Sequence, residues 1–147
     1  MARRIGILTF HSSINEGAIL QACALSARLM RLFCQDEVCV IDYRCASSER
    51  GCLMNVISGY MNHADICRRA QRYYRLKSFI RKNLPLSQGR LTTDDYDRSL
   101  EFLRNQYDVI VVGSDEIWKV EQGPFARPFP NAYWLSESLP CRKIAYA

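Results

Sequence analysis

The segment from Tyr107 to Gly113 constrains the fold of this chain more than any other. The four residues between Asp108 and Gly113 are all apolar and β-branched, and no polar residue interrupts them. β-branched residues favour strands, and a continuous apolar run is typical of a central parallel strand covered on both faces. The segment therefore predicts an α/β protein with a parallel sheet and helices on both of its faces.

The beginning of the chain predicts a βαβ unit. Arg4–Phe10 is a short apolar run that suits a buried strand, and the polar segment His11–Gly17 suits a loop. Ala18–Phe33 is long, mostly apolar and rich in good helix formers, so we expect a largely buried helix. Val38–Tyr43 then predicts a second strand, parallel to the first and joined to it by a right-handed crossover.

A basic helix is predicted from Asp65 to Asn83, where Pro85 stops it. At about 100° per residue one side of this helix is apolar and the opposite side is basic. Phe79 does not fit this pattern, which suggests that the helix bends or ends near it. The apolar side carries Ile66, Ala70, Tyr73 and Ile80, and the basic side carries Arg68, Arg72, Arg75 and Lys82.

The remaining segments are less regular. Cys45–Gly59 is expected to be an irregular connection with a short helix near Leu53, and Glu121–Pro130 is expected to be a loop. A further helix is predicted to begin at Thr92 to Asp95 and to reach about Gln106, because acidic residues favour a helix start. Arg142–Ala147 predicts another strand.

The bulk composition is that of a globular domain. The chain has 147 residues, of which 48% are hydrophobic and 24% charged. It contains no apolar run near the roughly 20 residues that span a bilayer, and no signal peptide is recognisable. We therefore expect one Rossmann-like domain over residues 1–147, located in the cytoplasm.

The positive charge of the chain is concentrated in one window. The net charge is +5, yet seven basic residues and no acidic one lie between Ile66 and Leu84. The rest of the chain has thirteen basic and fifteen acidic residues. Such a face is usually only solvated, and its functional alternatives are contact with the phosphates of nucleic acid or of lipid head groups.

The cysteines are interpreted as reduced thiols that pack as small hydrophobes. Their number is odd, no pair has the two-residue spacing of zinc ligands, and only two histidines accompany them. We expect no metal and no cofactor. The seven are Cys23, Cys34, Cys39, Cys45, Cys52, Cys67 and Cys141.

Two loops are the candidate site, because each follows the carboxyl end of a predicted strand. Ligands of open α/β sheets bind there, where the strand order reverses. If the second strand lies on one side of the first and the Tyr107–Val112 strand on the other, the crevice falls between these loops. The candidate substrate-binding residues are His11, Asn15 and Gly17 in the first loop and Gly113, Ser114 and Asp115 in the second.

Each candidate also has a structural explanation. Ser13 or Asn15 can act only as a helix cap, and His11 can be a loop histidine bonded to the backbone. Asp115 can cap the turn after its strand. Gly17 is the residue that would let the backbone approach a ligand closely.

Four blocks of this sequence resemble the N-terminal half of the polysaccharide pyruvyl transferase family. The resemblance covers nearly the whole chain in four blocks that occur in the family's order. They are Gly6–His11 with Asn15, Gly17, Ala18, Leu20, Gln21, Ala24 and Leu25; Val38 with Val40–Arg44; Tyr107–Trp118; and Asn131–Leu135 followed by Lys143–Ala147.

The resemblance implies the N-terminal half of a two-domain, glycosyltransferase-B-like architecture with a cleft between Rossmann-like halves. It implies transfer of the enolpyruvyl moiety of phosphoenolpyruvate to a sugar or glycan acceptor, forming a pyruvate ketal in cell-surface polysaccharide biosynthesis. The catalytic residues are expected in a second half, so the 147 residues alone are expected to be inactive. Peripheral membrane contact is compatible with this function.

Two other classes of function stay open at the level of sequence. One is a non-catalytic module in which the same βαβ unit binds a nucleotide or a sugar phosphate. The other is a nucleic-acid-associated protein that uses the Arg68–Lys82 face, although this face lacks the interleaved aromatic residues of a single-strand binder. We do not expect nucleic acid as a partner.

Overall fold

The computed structural model describes residues 2–57, 63–113, 117–120, 122–123 and 125–146. Within these residues the chain forms five strands, four α-helices and a short 3-10 helix at Ala132–Trp134. In chain order they are β1 (Arg4–Leu8), α1 (Glu16–Leu32), β2 (Glu37–Arg44), α2 (Ala46–Ile57), α3 (His63–Asn83), β3 (Leu86–Thr92), α4 (Tyr96–Leu103), β4 (Val109–Gly113) and β5 (Arg142–Tyr146).

The five strands form one parallel sheet in the order β3-β2-β1-β4-β5. β1 lies in the middle, with Ile7 opposite Val40 of β2 on one side and opposite Val111 of β4 on the other. The predicted α/β, Rossmann-like parallel sheet is therefore confirmed. The predicted arrangement of the second strand and the Tyr107–Val112 strand on opposite sides of the first is confirmed too.

Helices cover both faces of the sheet, as predicted. On one face α1 and α3 contribute Ile19 and Ile80 to a core with Ile7 and Val40 of the sheet. On the other face α4 and the 3-10 helix pack against the alternate strand residues, such as Ile41. All of these side chains are almost completely buried. The period-2 alternation along β1 and β2 decides which core each residue joins.

Two elements differ from the sequence-based expectation. The β3 strand was not predicted, because its residues are mostly polar and it lies at the edge of the sheet. The α2 helix replaces most of an expected irregular connection. The amphipathic pattern of its sequence is too weak to predict a helix. Contacts with neighbouring segments stabilise it instead: Ser47 donates to Asp94 through both its amide and its hydroxyl group.

The α1 helix is less buried than predicted. Only Ala18, Ile19, Ala22 and Ser26 are buried in it, whereas Leu20 and other large apolar residues are exposed. The α3 helix follows its prediction closely. It continues past Phe79 to Asn83, Ile80 is buried, and the four predicted basic side chains are exposed. Phe79 is 39% exposed, so it joins the basic side instead of marking the end of the helix.

Candidate functional site

The carboxyl ends of β1 and β4 lie next to each other, as the switch-point argument requires. Leu8 is paired in register with Val112, and Gly113 is the last residue of β4. The first loop thus begins beside the end of β4. Of the predicted residues on β4 only Gly113 is described, and Ser114 and Asp115 lie outside the described residues.

Asn15 caps the α1 helix. Its side-chain Oδ1 accepts hydrogen bonds from the amide of Gly17 at 3.0 Å and from the amide of Ala18 at 3.4 Å. These amides are among the free donors of the first helical turn, and the cap satisfies them without a ligand. The structural explanation of Asn15 is therefore confirmed, and ligand contact by Asn15 or Gly17 stays a prediction.

His11 is fully buried between two oxygen atoms of the protein. Its Nδ1 lies 3.2 Å from the carbonyl oxygen of Thr9, and its Nε2 lies 3.0 Å from Oδ1 of Asp42. Both neighbours accept hydrogen bonds, so the ring nitrogen that carries hydrogen donates to the oxygen beside it. His11 holds the first loop to β2 in this way, and its contact with substrate stays a prediction.

Asp42 is the centre of a buried ionic cluster. Its carboxylate accepts from Arg44 Nε at 2.7 Å and from Arg90 Nε at 2.8 Å, in addition to facing His11. Burial alone raises the pKa of this carboxyl group, but the hydrogen bonds from His11, Arg44 and Arg90 outweigh burial and lower it. Asp42 is thus ionised and firmly paired.

A second carboxylate extends the cluster onto the helices. Glu49 of α2 accepts from Ser12 Oγ at 2.7 Å and from Lys77 Nζ at 3.2 Å, and Lys77 also donates to the backbone oxygen of Ser12 at 2.8 Å. Glu49 lies 3.8 Å from Arg44 as well. These contacts fix the first loop, α2 and α3 to the carboxyl edge of the sheet. We call the whole set the edge cluster: His11, Asp42, Arg44, Glu49, Lys77 and Arg90.

Arg90 is the member of the edge cluster that solvent reaches best. Its side chain is 55% exposed, whereas that of Arg44 is 11% exposed and that of Asp42 is 4% exposed. Asp42 fixes the guanidinium group through Nε while the far end stays accessible. An anchored guanidinium group is well suited to bind a carboxylate or a phosphate.

Sequence reasoning missed most of the edge cluster. Arg90 lies in the unpredicted β3 strand, and Lys77 lies in a helix whose cations were expected to face solvent. The available signal was Asp42, a carboxylate inside an otherwise apolar strand segment, since a buried carboxylate needs cationic or hydrogen-bonding partners.

Aromatic side chains line the other face of the sheet at the same edge. Phe10 packs edge-to-face against Tyr133 at 4.9 Å between centroids, and the guanidinium group of Arg127 lies 4.2 Å above the Phe10 ring. Trp118 donates through Nε1 to the Tyr133 backbone oxygen at 3.1 Å and is 36% exposed. The first loop is therefore held by the ion pairs of the edge cluster on one face of the sheet and by aromatic contacts of Phe10 on the other face.

A wide groove lies away from the edge cluster. It has a volume of about 1090 Å³ and runs between α1 and the β4–β5 strands. Leu25 and Leu29 line it on the helix side, and Val111 and Ile144 on the sheet side. The described residues of this lining are mainly apolar and include three arginines but no carboxylate, histidine or lysine, so we place the candidate site at the edge cluster.

The cysteines are free thiols, and burial raises the pKa of five of them: Cys23, Cys39, Cys45, Cys52 and Cys141. A raised pKa keeps a thiol protonated and unreactive near neutral pH. The described residues include no group of three or more histidine, cysteine, aspartate or glutamate side chains placed to hold a metal ion. None of the described helices is both long and apolar enough to cross a membrane.

The fold and the edge cluster define a Rossmann-like α/β domain with anchored cations at the carboxyl end of β2, one strand away from the switch point between β1 and β4. Comparison of the chain with protein-family models and with curated proteins finds no match.

Proposed function

We propose that the chain is the N-terminal half of an enzyme of the polysaccharide pyruvyl transferase kind. In this proposal the chain forms one wall of a glycosyltransferase-B-like cleft, and a second half supplies the catalytic groups. The sequence resemblance supports the proposal, and one structural observation carries it. That observation is Arg90, a solvent-accessible guanidinium group anchored by buried Asp42 at the carboxyl edge of the sheet.

The reaction explains why an anchored cation is useful. Two hydroxyl oxygens of the sugar bond to C2 of phosphoenolpyruvate, and the bond between C2 and the phosphate ester oxygen breaks. C3 takes up one proton and becomes a methyl group, and the second hydroxyl proton leaves with the phosphate. The donor phosphoenolpyruvate and the released phosphate are both anions. The site therefore needs cations that the protein holds in fixed positions, where they bind the carboxylate or the phosphate.

A binding test can detect this role without turnover. Phosphoenolpyruvate is titrated into the chain while tryptophan fluorescence and calorimetry follow binding. Replacing Arg90→Gln removes a charge-assisted contact, so we expect at least tenfold weaker binding. The matched control is Arg104→Gln, which removes the same charge from the exposed end of α4. Equal affinities in the two variants would contradict the role of Arg90.

An activity test addresses the two-half arrangement. The 147 residues are incubated with phosphoenolpyruvate and with lipid-linked or nucleotide sugars, and phosphate release and ketal formation are followed. We expect no turnover, because donor, acceptor and proton-transfer groups must be held together. Turnover by this chain alone would show that the cleft is already complete within it.

A binding module for a nucleotide or a sugar phosphate is the second candidate. It is favoured by the edge cluster itself, because Asp42 and Glu49 are both paired with cations and neither is placed as a free general base. A module of this kind would bind a nucleoside diphosphate sugar at least as tightly as phosphoenolpyruvate, and Arg90→Gln would weaken both.

A further inference from the structure

The exposed side of α3 carries four cations around one aromatic ring. At about 100° per residue these five side chains fall within an arc of about 80°, and every one of them is exposed. Phe79 lies inside the arc with 39% of its surface exposed. We call this set the basic stripe: Arg68, Arg72, Arg75, Phe79 and Lys82.

The basic stripe is only partly neutralised by the protein. Glu16 lies 2.9 Å from Arg72, and Asp65 lies 3.8 Å from Arg68. Among the described residues, no carboxylate is within ion-pair distance of Arg75 or Lys82. The window from Ile66 to Leu84 contains no acidic residue at all, so the field above the stripe is strongly positive.

Apolar side chains are also exposed on the neighbouring helix. The last turns of α2 expose Leu53, Met54 and Ile57, which are 51%, 40% and 55% accessible. A hydrogen bond of 2.7 Å from Arg69 Nη1 to the backbone oxygen of Asn55 joins these turns to α3. Cations and exposed apolar groups thus belong to one pair of helices.

We propose that the basic stripe of α3 docks on the surface of a membrane that contains anionic lipids. Each Lys or Arg near such a surface gains electrostatic attraction to the phosphate head groups, and the Phe79 ring enters the boundary between head groups and acyl chains. A nucleic acid backbone matches the cations equally well but leaves the Phe79 ring exposed to water. The Phe79 ring within the stripe therefore favours a lipid surface.

This docking places the edge cluster on the side of the helix away from the lipid. Lys77 lies about 180° around α3 from Arg68 and reaches Glu49 in the edge cluster. A helix with its side chains is about 10 Å across, so the cluster stands about that far above the head groups. The inference does not depend on the proposed function, although a lipid-linked acceptor would come within reach of such a site.

The test measures sedimentation of the chain with vesicles at 100 mM salt. We expect binding to vesicles of 70% phosphatidylcholine and 30% phosphatidylglycerol and no binding to pure phosphatidylcholine. The double variant Arg75→Glu with Lys82→Glu should bind the anionic vesicles at least tenfold more weakly. The matched control, Arg28→Glu with Arg31→Glu on exposed positions of α1, has the same net charge and should bind nearly like the unchanged chain.

A third variant separates docking from unspecific attraction. Phe79→Ser keeps every charge and should weaken binding to anionic vesicles severalfold, and circular dichroism verifies that each variant is folded. Equal losses in the α1 and α3 charge variants would overturn the proposal. So would tighter, stripe-dependent binding to a DNA or RNA duplex than to the anionic vesicles, which would assign the stripe to nucleic acid.

Discussion

The two lateral halves of the sheet, which we call the covered side and the open side, differ in how well helices cover them. On the covered side, α1 and α3 pack against β1 and β2, and the edge cluster joins β2, β3, α2 and α3 through ion pairs. On the open side, every residue of β5 is exposed, and the groove of about 1090 Å³ separates β4 and β5 from α1. The covered side carries both the edge cluster and the basic stripe.

The comparison shows what a strand pattern can reveal. The β4 strand was predicted as central from its apolar run, and it does lie between β1 and β5 with Ile110 and Val112 buried. The groove nevertheless borders it on the α1 side through Val109 and Val111. Val111 is still buried and Val109 is partly buried, so the apolar run correctly predicted a strand that is covered on both faces.

The largest expected effect comes from Asp42→Asn on the covered side. The substitution keeps the volume but leaves Arg44 and Arg90 without a buried counter-charge, so we expect a loss of about 3 to 5 kcal/mol in the free energy of unfolding. Urea denaturation measures it. Glu137→Gln, at an exposed loop position, is the control and should leave the midpoint nearly unchanged.

The same variant makes a pH prediction. The folded-state pKa of Asp42 is lowered, so its stabilising contribution is complete above the unfolded-state value of about 3.9 and is lost as the pH falls below it. The difference in stability between the unchanged chain and Asp42→Asn should therefore shrink below about pH 4. A difference that stays constant down to pH 2 would show that the carboxylate charge is not its cause.

A matched pair of isoleucines compares the two sides directly. Ile80 on α3 is 1% exposed, whereas Ile144 on β5 is 39% exposed. We expect Ile80→Ala to cost about 2 to 5 kcal/mol through lost burial and a cavity, and Ile144→Ala to cost no more than about 1 kcal/mol. Similar losses in urea denaturation would mean that the groove beside Ile144 is filled in solution.

Much of the fold was predictable because burial leaves a pattern in the chain. The βαβ unit, the central position of β4 and the two sides of α3 all follow from the spacing of apolar residues. β3 escaped prediction because an edge strand needs little apolar surface: Gly89 and Arg90 in its middle are exposed. Its position depends on hydrogen bonds to β2 instead, which the sequence of β3 does not encode.

A pair of glycines tests the join between β4 and β5. Gly113 and Gly123 both have positive φ, but a Cβ on Gly113 would lie 1.8 Å from the backbone oxygen of Tyr146, while a Cβ on Gly123 meets nothing within 4 Å. Gly123→Ala should cost about 1 kcal/mol for the backbone conformation. Gly113→Ala should cost about 1 to 3 kcal/mol more, because β5 must shift. Faster hydrogen exchange of the β5 amides in Gly113→Ala alone would verify the cause.

The position of the two predicted loops was predictable, but the edge cluster beside the first of them was not. The switch-point rule located the first loop and the end of β4 correctly relative to each other. The cations came from β3 and from the inner side of α3, and only tertiary packing brings Arg90 and Lys77 near β2. Contacts between residues so far apart in the chain leave no local spacing pattern to read.

The smallest expected effect separates the two explanations of Asn15. Asn15→Ala removes the cap of α1 and should cost about 1 kcal/mol, whereas Asn15→Ser keeps an oxygen acceptor and should cost only a few tenths. Urea denaturation of both variants measures the cap, and titration with phosphoenolpyruvate measures any contact with ligand. If Asn15 only caps the helix, Asn15→Ser binds the ligand like the unchanged chain. Weaker binding by a stable Asn15→Ser variant would instead assign Asn15 a direct contact, and the first loop would become part of the binding surface.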